Sequence, residues 1–528
     1  MGETRTAAVE SSHGEWHPST NPWLITVAVM LATFMEVLDT TIVTVAVPHI
    51  AGSLSASNDE ATWVLTSYLV SNAIVLPASG WFAVYFGRRR FLMVCIAIFT
   101  LSSMVSGVAV SLDMLIIARV IQGAGGGALQ PISQAILLES FPPEKRGLAM
   151  AAFAFGVVVA PIAGPTLGGW LTDNYSWRWA FYINIPIGVF AILMIHMFVE
   201  DPPYIRNAKP GKIDWIGFAL MAIALAALQV ILDKGQRDDW FAASWIRWFA
   251  TASAVSMITF IVWELRVKEP IVNLRVFANR NFAMGTLLIT AVGFALYSAI
   301  TLIPLFLQTL MGYPALQSGL AVSTRGVGAM IAMPVVGFLT GRVDFRKLIG
   351  TGFFLLAVSL WLISDLTLEI SMWDIAWPSV LTGVGLAMMF VPLATVAMGT
   401  LSQKDIGNAS GIFNLMRNLG GSIGISFLIT FLARHAQANQ ATLVSHLTSW
   451  DLAYQHRLPE IQNFFSTHLG SVEAHRQAQR FVYETLLKQS QLLSFVESFR
   501  MLVVISLICI VAAFLLKRVK SRGQISSH

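Results

Sequence analysis

The sequence predicts an all-α membrane protein of about fourteen transmembrane helices, built as two six-helix bundles with two further helices inserted between them. Three observations lead there: recurrent apolar stretches, a composition poor in charge, and an internal repeat. Stretches of near 20 apolar residues begin near Trp23, Ala61, Phe91, Met114, Leu148, Ala180, Ile213, Trp245, Phe282, Ser318, Leu348, Met372, Asn408 and Leu493, and each is long enough to cross a bilayer. The 528 residues are 55% hydrophobic and 12% charged, with mean hydropathy +0.67, whereas a soluble chain carries about a quarter charged residues.

The repeat has two parts. The connection after span two runs Gly80-Trp-Phe-Ala-Val-Tyr-Phe-Gly-Arg-Arg-Arg-Phe91, and the one after span ten runs Gly337-Phe-Leu-Thr-Gly-Arg-Val-Asp-Phe-Arg-Lys-Leu348. Aligned on their first glycines, both continue with an aromatic residue, then match Arg89 with Arg346 and Arg90 with Lys347. At the start of spans five and thirteen, Gly147, Ala149, Phe153, Ala160 and Gly164 align with Gly407, Ala409, Phe413, Gly420 and Gly424. Both matches are offset by eight spans. They divide the chain into a tail (1–22), a first bundle (23–200), an inserted pair (201–275), a second bundle (276–517) containing a long loop at 436–491, and a tail (518–528). Repeated bundles with a site at their interface are the architecture of secondary transporters.

Lys and Arg placement orients the spans. Arg88-Arg89-Arg90, Lys145-Arg146, Arg206/Lys209/Lys212, the 266–280 segment, Arg342/Arg346/Lys347 and Lys517-Arg518-Val-Lys520 fall in alternate connections, while the opposite short loops are nearly free of basic residues. Both termini are therefore expected in the cytoplasm. The polar first twenty-odd residues lack the apolar core of a cleavable signal peptide. The net charge of +5 reflects this loop asymmetry and gives no reason to expect nucleic acid.

Asp39 lies deep in the first apolar helix with Glu36 one turn before it. Ionisable residues cost roughly 2.5–3.5 kcal/mol each at the centre of a membrane helix, so they rarely persist without a task. A spacing of three places both carboxyls on one face. Like charges that close in a low-dielectric site oppose joint ionisation, which fits the pair to take up and release protons; the alternative is a structural carboxylate satisfied by a neighbouring helix. Span four carries Arg119, Gly123 and Gly127 on one face, a fixed positive charge beside a smooth packing strip. In span five, Gly156, Ala160, Gly164 and Gly168 form a small-residue stripe interrupted by Pro161 and Pro165, which remove two backbone N–H groups and bend the helix.

Enzyme readings find little support. Cys95 and Cys509 both fall inside spans, the ten histidines show no metal-ligand spacing, and no Ser/His/Asp or Cys/His grouping stands out. Gly123-Ala-Gly-Gly-Gly127 lacks the Gly-Lys-Ser/Thr ending of a phosphate loop and lies within a helix, so drive by ATP is not expected.

These motifs together resemble the major facilitator superfamily, and within it the drug:proton antiporters with fourteen spans. The segment 38–48, Leu-Asp-Thr-Thr-Ile-Val-Thr-Val-Ala-Val-Pro, resembles that family's first-span motif. Arg119-Val-Ile-Gln-Gly-Ala-Gly125 resembles its span-four motif, Gly164-Pro-Thr-Leu-Gly-Gly169 its span-five antiporter signature, and Trp177 to Gly188 a further characteristic stretch. Leu228 to Gly235 and Ile261 to Phe282 extend the similarity to the inner-membrane subunits of tripartite multidrug efflux pumps. The likeness covers about Leu31 to Gly424. The chain departs from the pattern at Val84 and Tyr85, where the superfamily loop motif usually has Asp and then Arg, and at Ala160, where Gly is common; Glu36 adds a second acid to the first-span motif.

The resemblance implies a proton-driven antiporter that exports lipophilic or amphipathic compounds by alternating access from a bacterial inner membrane. It implies no cofactor beyond the proton gradient, with the bilayer, small lipophilic substrates, a periplasmic adaptor (membrane fusion protein) and an outer-membrane channel as partners. The rival readings are a carrier, exporter or importer, of one metabolite such as a fatty acid or siderophore, and a non-transporting receptor. Asp39, Glu36 and Arg119 are the expected proton-coupling residues. Gly80, Gly87, Arg88, Arg89, Gly123, Gly164, Pro165, Gly168 and Gly169 make the conformational motifs. Tyr68, Asn72, Gln122, Tyr297 and Gln308 are cavity candidates by type and depth. Arg325, and Arg417 beside Asn414 and Asn418, should face the bundle interior, either to hold an anionic head group or to pair with helix ends or acids of the other bundle. The 436–491 loop, with Leu458, Ile461, Phe464, Phe465 and Leu469 at roughly helical spacing, is read as a helical docking element for the adaptor; the alternative is a variable surface loop.

Overall fold

The computed structural model describes residues 18–206, 213–340, 342–365, 367–402, 405–448 and 450–517. The expected tails up to residue 17 and from 518, and with them Lys209, Lys212, Arg518 and Lys520 of the basic groups, lie outside the described residues. Among the described residues, fourteen helices are long and apolar enough to span a membrane: α1 (Pro22–Ser53), α2 (Trp63–Phe86), α3 (Arg88–Gly107), α4 (Leu112–Ser140), α5 (Arg146–Asn174), α6 (Trp179–Phe198), α7 (Trp215–Lys234) and α8 (Ser244–Arg266). The second half adds α9 (Arg280–Thr309), α10 (Gln317–Leu339), α11 (Phe345–Ile363), α12 (Met372–Gly399), α13 (Ile406–Val444) and α14 (Ser471–Ala513). Several start where the sequence supplies an acceptor for the first free N–H groups: Asn21 caps α1, Ser111 caps α4, Asp214 caps α7, Asn279 caps α9 and Asp344 caps α11.

Packing repeats with the offset read from the sequence. In the first bundle α1 packs on α5, α4 and α6, and α4 on α2 and α3; in the second α9 packs on α13, α12 and α14, and α12 on α10 and α11. The bundles meet where α5 lies on α10 and α2 on α13. The inserted α7 packs on α8 and rests on α2, with Phe218 edge-on to Phe82 and Thr66 donating to Asp233. The turn that follows α7 reaches the second bundle through Trp240, whose Nε1 donates to Thr430 at 3.1 Å.

At the end bearing the basic loops, the seam is closed by glycines that are mates in the sequence repeat but exchange partners in space. A Cβ on Gly80 would lie 2.6 Å from the backbone N of Asn408, and one on Gly147 would lie 2.9 Å from the carbonyl of Gly337. Asn408 also exchanges hydrogen bonds with the Asn273 backbone. Forcing a side chain into such a contact costs about 1–3 kcal/mol. Gly80→Leu is therefore expected to pry this end open and to slow transport by roughly an order of magnitude or more. A lengthened distance between spin labels on α2 and α13 at this end would report the opening.

Two sequence expectations change. The glycine run of span four is not wholly helical, because α4 breaks at Gly127–Ala128, between helical segments Leu112–Gly126 and Leu129–Ser140. The long loop is largely an extension of the spans. α13 runs on to Val444, a separate helix covers Leu452–Ser466, and α14 begins at Ser471. The intervening helix packs on α14 through Phe465 and Phe481.

Candidate functional site

The site sits mid-span and has two parts, one inside the first bundle and one at its seam with the second. α1 reaches it by resting on the small-residue stripe of α5: Gly164 abuts Thr41, Gly168 abuts Ile42 and Gly156 abuts Met30. The side chain of Pro165 lies outside the described residues, and Gly169 is looser, since a Cβ there would still stand 4.0 Å from Val45. α4 approaches α2 in the same way, Gly123 against the Tyr68 carbonyl and Gly127 against that of Asn72.

Inside the first bundle, Asp39 and Arg119 are both fully buried and paired at 2.6 Å between Oδ2 and Nη1. The other carboxylate oxygen accepts from Gln122 Nε2 at 2.9 Å and Asn184 Nδ2 at 2.7 Å. Arg119 is held by the Val64 carbonyl and by Gln122 Oε1, and its guanidinium lies 4.1 Å from the centre of the Tyr68 ring. A buried pair is tolerable only with such further bonds.

Glu36 belongs to a different network. It accepts from Asn72 Nδ2 at 3.2 Å and from Gln130 Nε2 at 2.5 Å, with Tyr68 Oη 3.4 Å away. Gln130 in turn accepts from Arg417 Nη2 of α13 at 2.5 Å, so Glu36 is linked to the second bundle through one amide. Nearby, Gln134 of α4 accepts from Ser410 and Asn414 of α13. Tyr68 touches both networks, its hydroxyl near Glu36 and its face toward Arg119.

Of the expected cavity residues, Tyr68, Asn72, Asn414 and Arg417 gather at this seam. Gln122 does not line it, being committed to Asp39 and Arg119. Tyr297 is half-buried against Gly421, and Gln308 is exposed near the far end of α9. Arg325 is buried in α10 with its Nε donating to its own Val322 carbonyl. Arg88 is buried and paired with Glu139 of α4, while the Arg89 amide donates to Asp201 beside Gly87, which takes φ +85° as the turn requires. Sequence reasoning missed Gln130, Asn184, Gln134 and Ser410. The available signal was a pair of glutamines four residues apart, 130 and 134, in the second half of α4.

Two repeated bundles enclosing paired charges at mid-membrane, with a seam between them, define a secondary transporter. A profile of the Major Facilitator Superfamily matches residues 29–425, and the chain belongs to that family. It is 40% identical to the multidrug export protein EmrB of Haemophilus influenzae over 81% of this chain and 84% of that one. It is 38% identical to the fatty acid resistance protein FarB of Neisseria gonorrhoeae over the same shares. Among solved structures, the human organic anion transporter TETRAN superposes with TM-score 0.60 at 14% identity, covering 94% of this chain and 99% of that one, a likeness of fold.

Proposed function

We infer that this chain is a proton-driven antiporter exporting lipophilic or amphipathic compounds by alternating access. The observation that carries the reading is the buried Asp39–Arg119 pair inside a two-bundle transporter, beside a second carboxyl, Glu36, that is hydrogen-bonded toward the seam. The likeness to EmrB and FarB supports export as the direction. Asp39 is the proposed proton carrier, with Glu36 modulating or substituting for it. Protonation of Asp39 in the outward-facing state weakens its hold on Arg119, and return to the inward state releases the proton to the cytoplasm. Electrical drive supplies about 2.3 kcal/mol per charge per 100 mV.

The reading places the protein in a bacterial inner membrane with its basic loops and both termini in the cytoplasm, handing substrate to a periplasmic adaptor and outer-membrane channel. What favours a docking role for the 436–491 region is its shape: rigid helical extensions with Trp450, Leu452, Phe464 and Val472 strongly exposed.

Everted vesicles give the test. A panel of lipophiles should accumulate only under an imposed proton gradient, and collapse of the gradient should stop it; accumulation indifferent to the gradient would overturn the reading. In the same vesicles, replacing residues 458–488 with a short flexible linker should leave proton exchange intact yet abolish resistance in cells. Normal resistance in the shortened protein would remove the docking role.

A further inference from the structure

We propose that the seam of this transporter contains a binding site for the anionic head of an amphiphile, formed by Arg417 and Arg325 of the second bundle. The proposal rests on the export reading for its physiological sense, and on the balance of buried charge for its chemistry.

Buried charges are ordinarily paired, because an unpaired ion in a low-dielectric interior is costly. Asp39 answers Arg119, Glu139 answers Arg88, and Lys234 lies beside Asp233. Arg417 and Arg325 have no carboxylate within ion-pair distance among the described residues. Arg417 is 2% exposed; its Nη2 donates to the neutral oxygens of Gln130 and Asn418, and its Nε and Nη1 have no hydrogen-bond partner. Arg325 is 8% exposed and donates Nε to Val322 O. The carboxyl of Glu36 reaches Arg417 only through one amide, Gln130, and Arg325 has only its own helix carbonyl. The seam thus lacks one negative charge.

The internal repeat puts Arg325 at the required depth. Gly123 of α4 abuts the Tyr68 carbonyl, and Gly383 of α12 abuts the Arg325 carbonyl in the same way. Arg325 therefore holds in the second bundle the place Tyr68 holds in the first, level with Glu36. The surroundings suit a chain as well as a head. Arg417 lies 5.7 Å from the centre of the Phe390 ring, and Phe390 stacks across the seam on Phe153 of α5. A planar guanidinium with free N–H groups matches a carboxylate, and aromatic walls match a hydrocarbon tail. A carboxylate head on Arg417 would supply the missing charge and occupy its free Nε and Nη1 donors.

The sign of the Glu36 effect is distinctive. Glu36 competes electrostatically with an anionic ligand, so Glu36→Gln should tighten anion binding, where a merely structural role would weaken it.

Purified protein in phosphatidylcholine nanodiscs at pH 8, without any gradient, supplies the experiment, with radiolabelled dodecanoate as probe and dodecyltrimethylammonium as the cation of equal chain length. Wild type should bind dodecanoate more tightly than the cation. Arg417→Gln and Arg325→Gln should each weaken dodecanoate about tenfold or more while sparing the cation. Arg417→Lys and Arg325→Lys should keep most of the preference, which separates loss of charge from loss of fold. Equal or tighter binding of the cation by wild type, or unchanged dodecanoate affinity in both Gln variants, would overturn the proposal. Loss of dodecanoate binding when phosphatidylglycerol is added to the nanodiscs would overturn it too, by making the bilayer lipid the occupant. Because no gradient is used, failure of proton-driven export leaves this result untouched: dodecanoate that binds but is never exported would defeat the export reading and keep the site.

Discussion

Asp39→Asn is expected to abolish proton-coupled export while the protein still inserts and folds. The amide preserves the size of the side chain but cannot titrate. It also meets the wrong surroundings, since Arg119, Gln122 and Asn184 all direct donors at the carboxylate oxygens, so one donor must face the new NH2 group. An unmade buried hydrogen bond costs about 1–3 kcal/mol, too little to unfold a bundle this size. Reconstituted protein under an imposed pH gradient supplies the measurement. Undiminished transport there would remove Asp39 from the coupling machinery and leave Glu36 as the proton carrier.

Arg119→Ala should be at least as damaging. It strands the Asp39 carboxylate with two amides in a fully buried site, and breaking a buried pair by deleting one partner costs about 3–5 kcal/mol. It also removes the cation that packs on Tyr68 and the bond to the Val64 carbonyl that ties α4 to α2. Arg119→Lys should restore part of the activity, because an ammonium keeps the charge but cannot hold Asp39, Gln122 and Val64 together as the guanidinium does. The readout is the ratio of transport rates across Ala, Lys and wild type at equal protein content. Full activity in the alanine variant would mean that the two groups are not coupled.

The fold was legible because membrane spans announce themselves by length and apolarity, and the repeat was legible because glycines at close contacts tolerate no replacement side chain. Asp39 and Arg119 could be singled out for the same reason: ions in apolar helices are costly enough to be conspicuous. Gln130 and Asn184 were not singled out, since an uncharged amide gives no sign of its partner in the sequence and its role depends on which helix lies opposite. The sequence put Glu36 and Asp39 on one face of α1, yet they serve different networks, because Glu36 meets α2, α4 and, through Gln130, α13 while Asp39 meets α4 and α6. The partner exchange of Gly80 with Asn408 and Gly147 with Gly337 likewise follows from the pseudo-two-fold packing of the bundles. The 436–491 region reads as a loop by polarity, but neither Pro nor Gly interrupts 436–444 or 471–492, so nothing stops α13 and α14 from running on.

That continuity has a mechanical consequence. α13 has 39 residues and α14 has 43, so each is roughly 60 Å long at 1.5 Å per residue, about twice the thickness of a hydrocarbon core. Without a joint at the membrane surface, the emerging half moves as the spans move. A 10° tilt about the bilayer midplane would sweep a tip about 45 Å away through roughly 8 Å. The hairpin is thus a lever fixed to the second bundle, and anything gripping its tip would be pulled through one stroke each time the bundles rock.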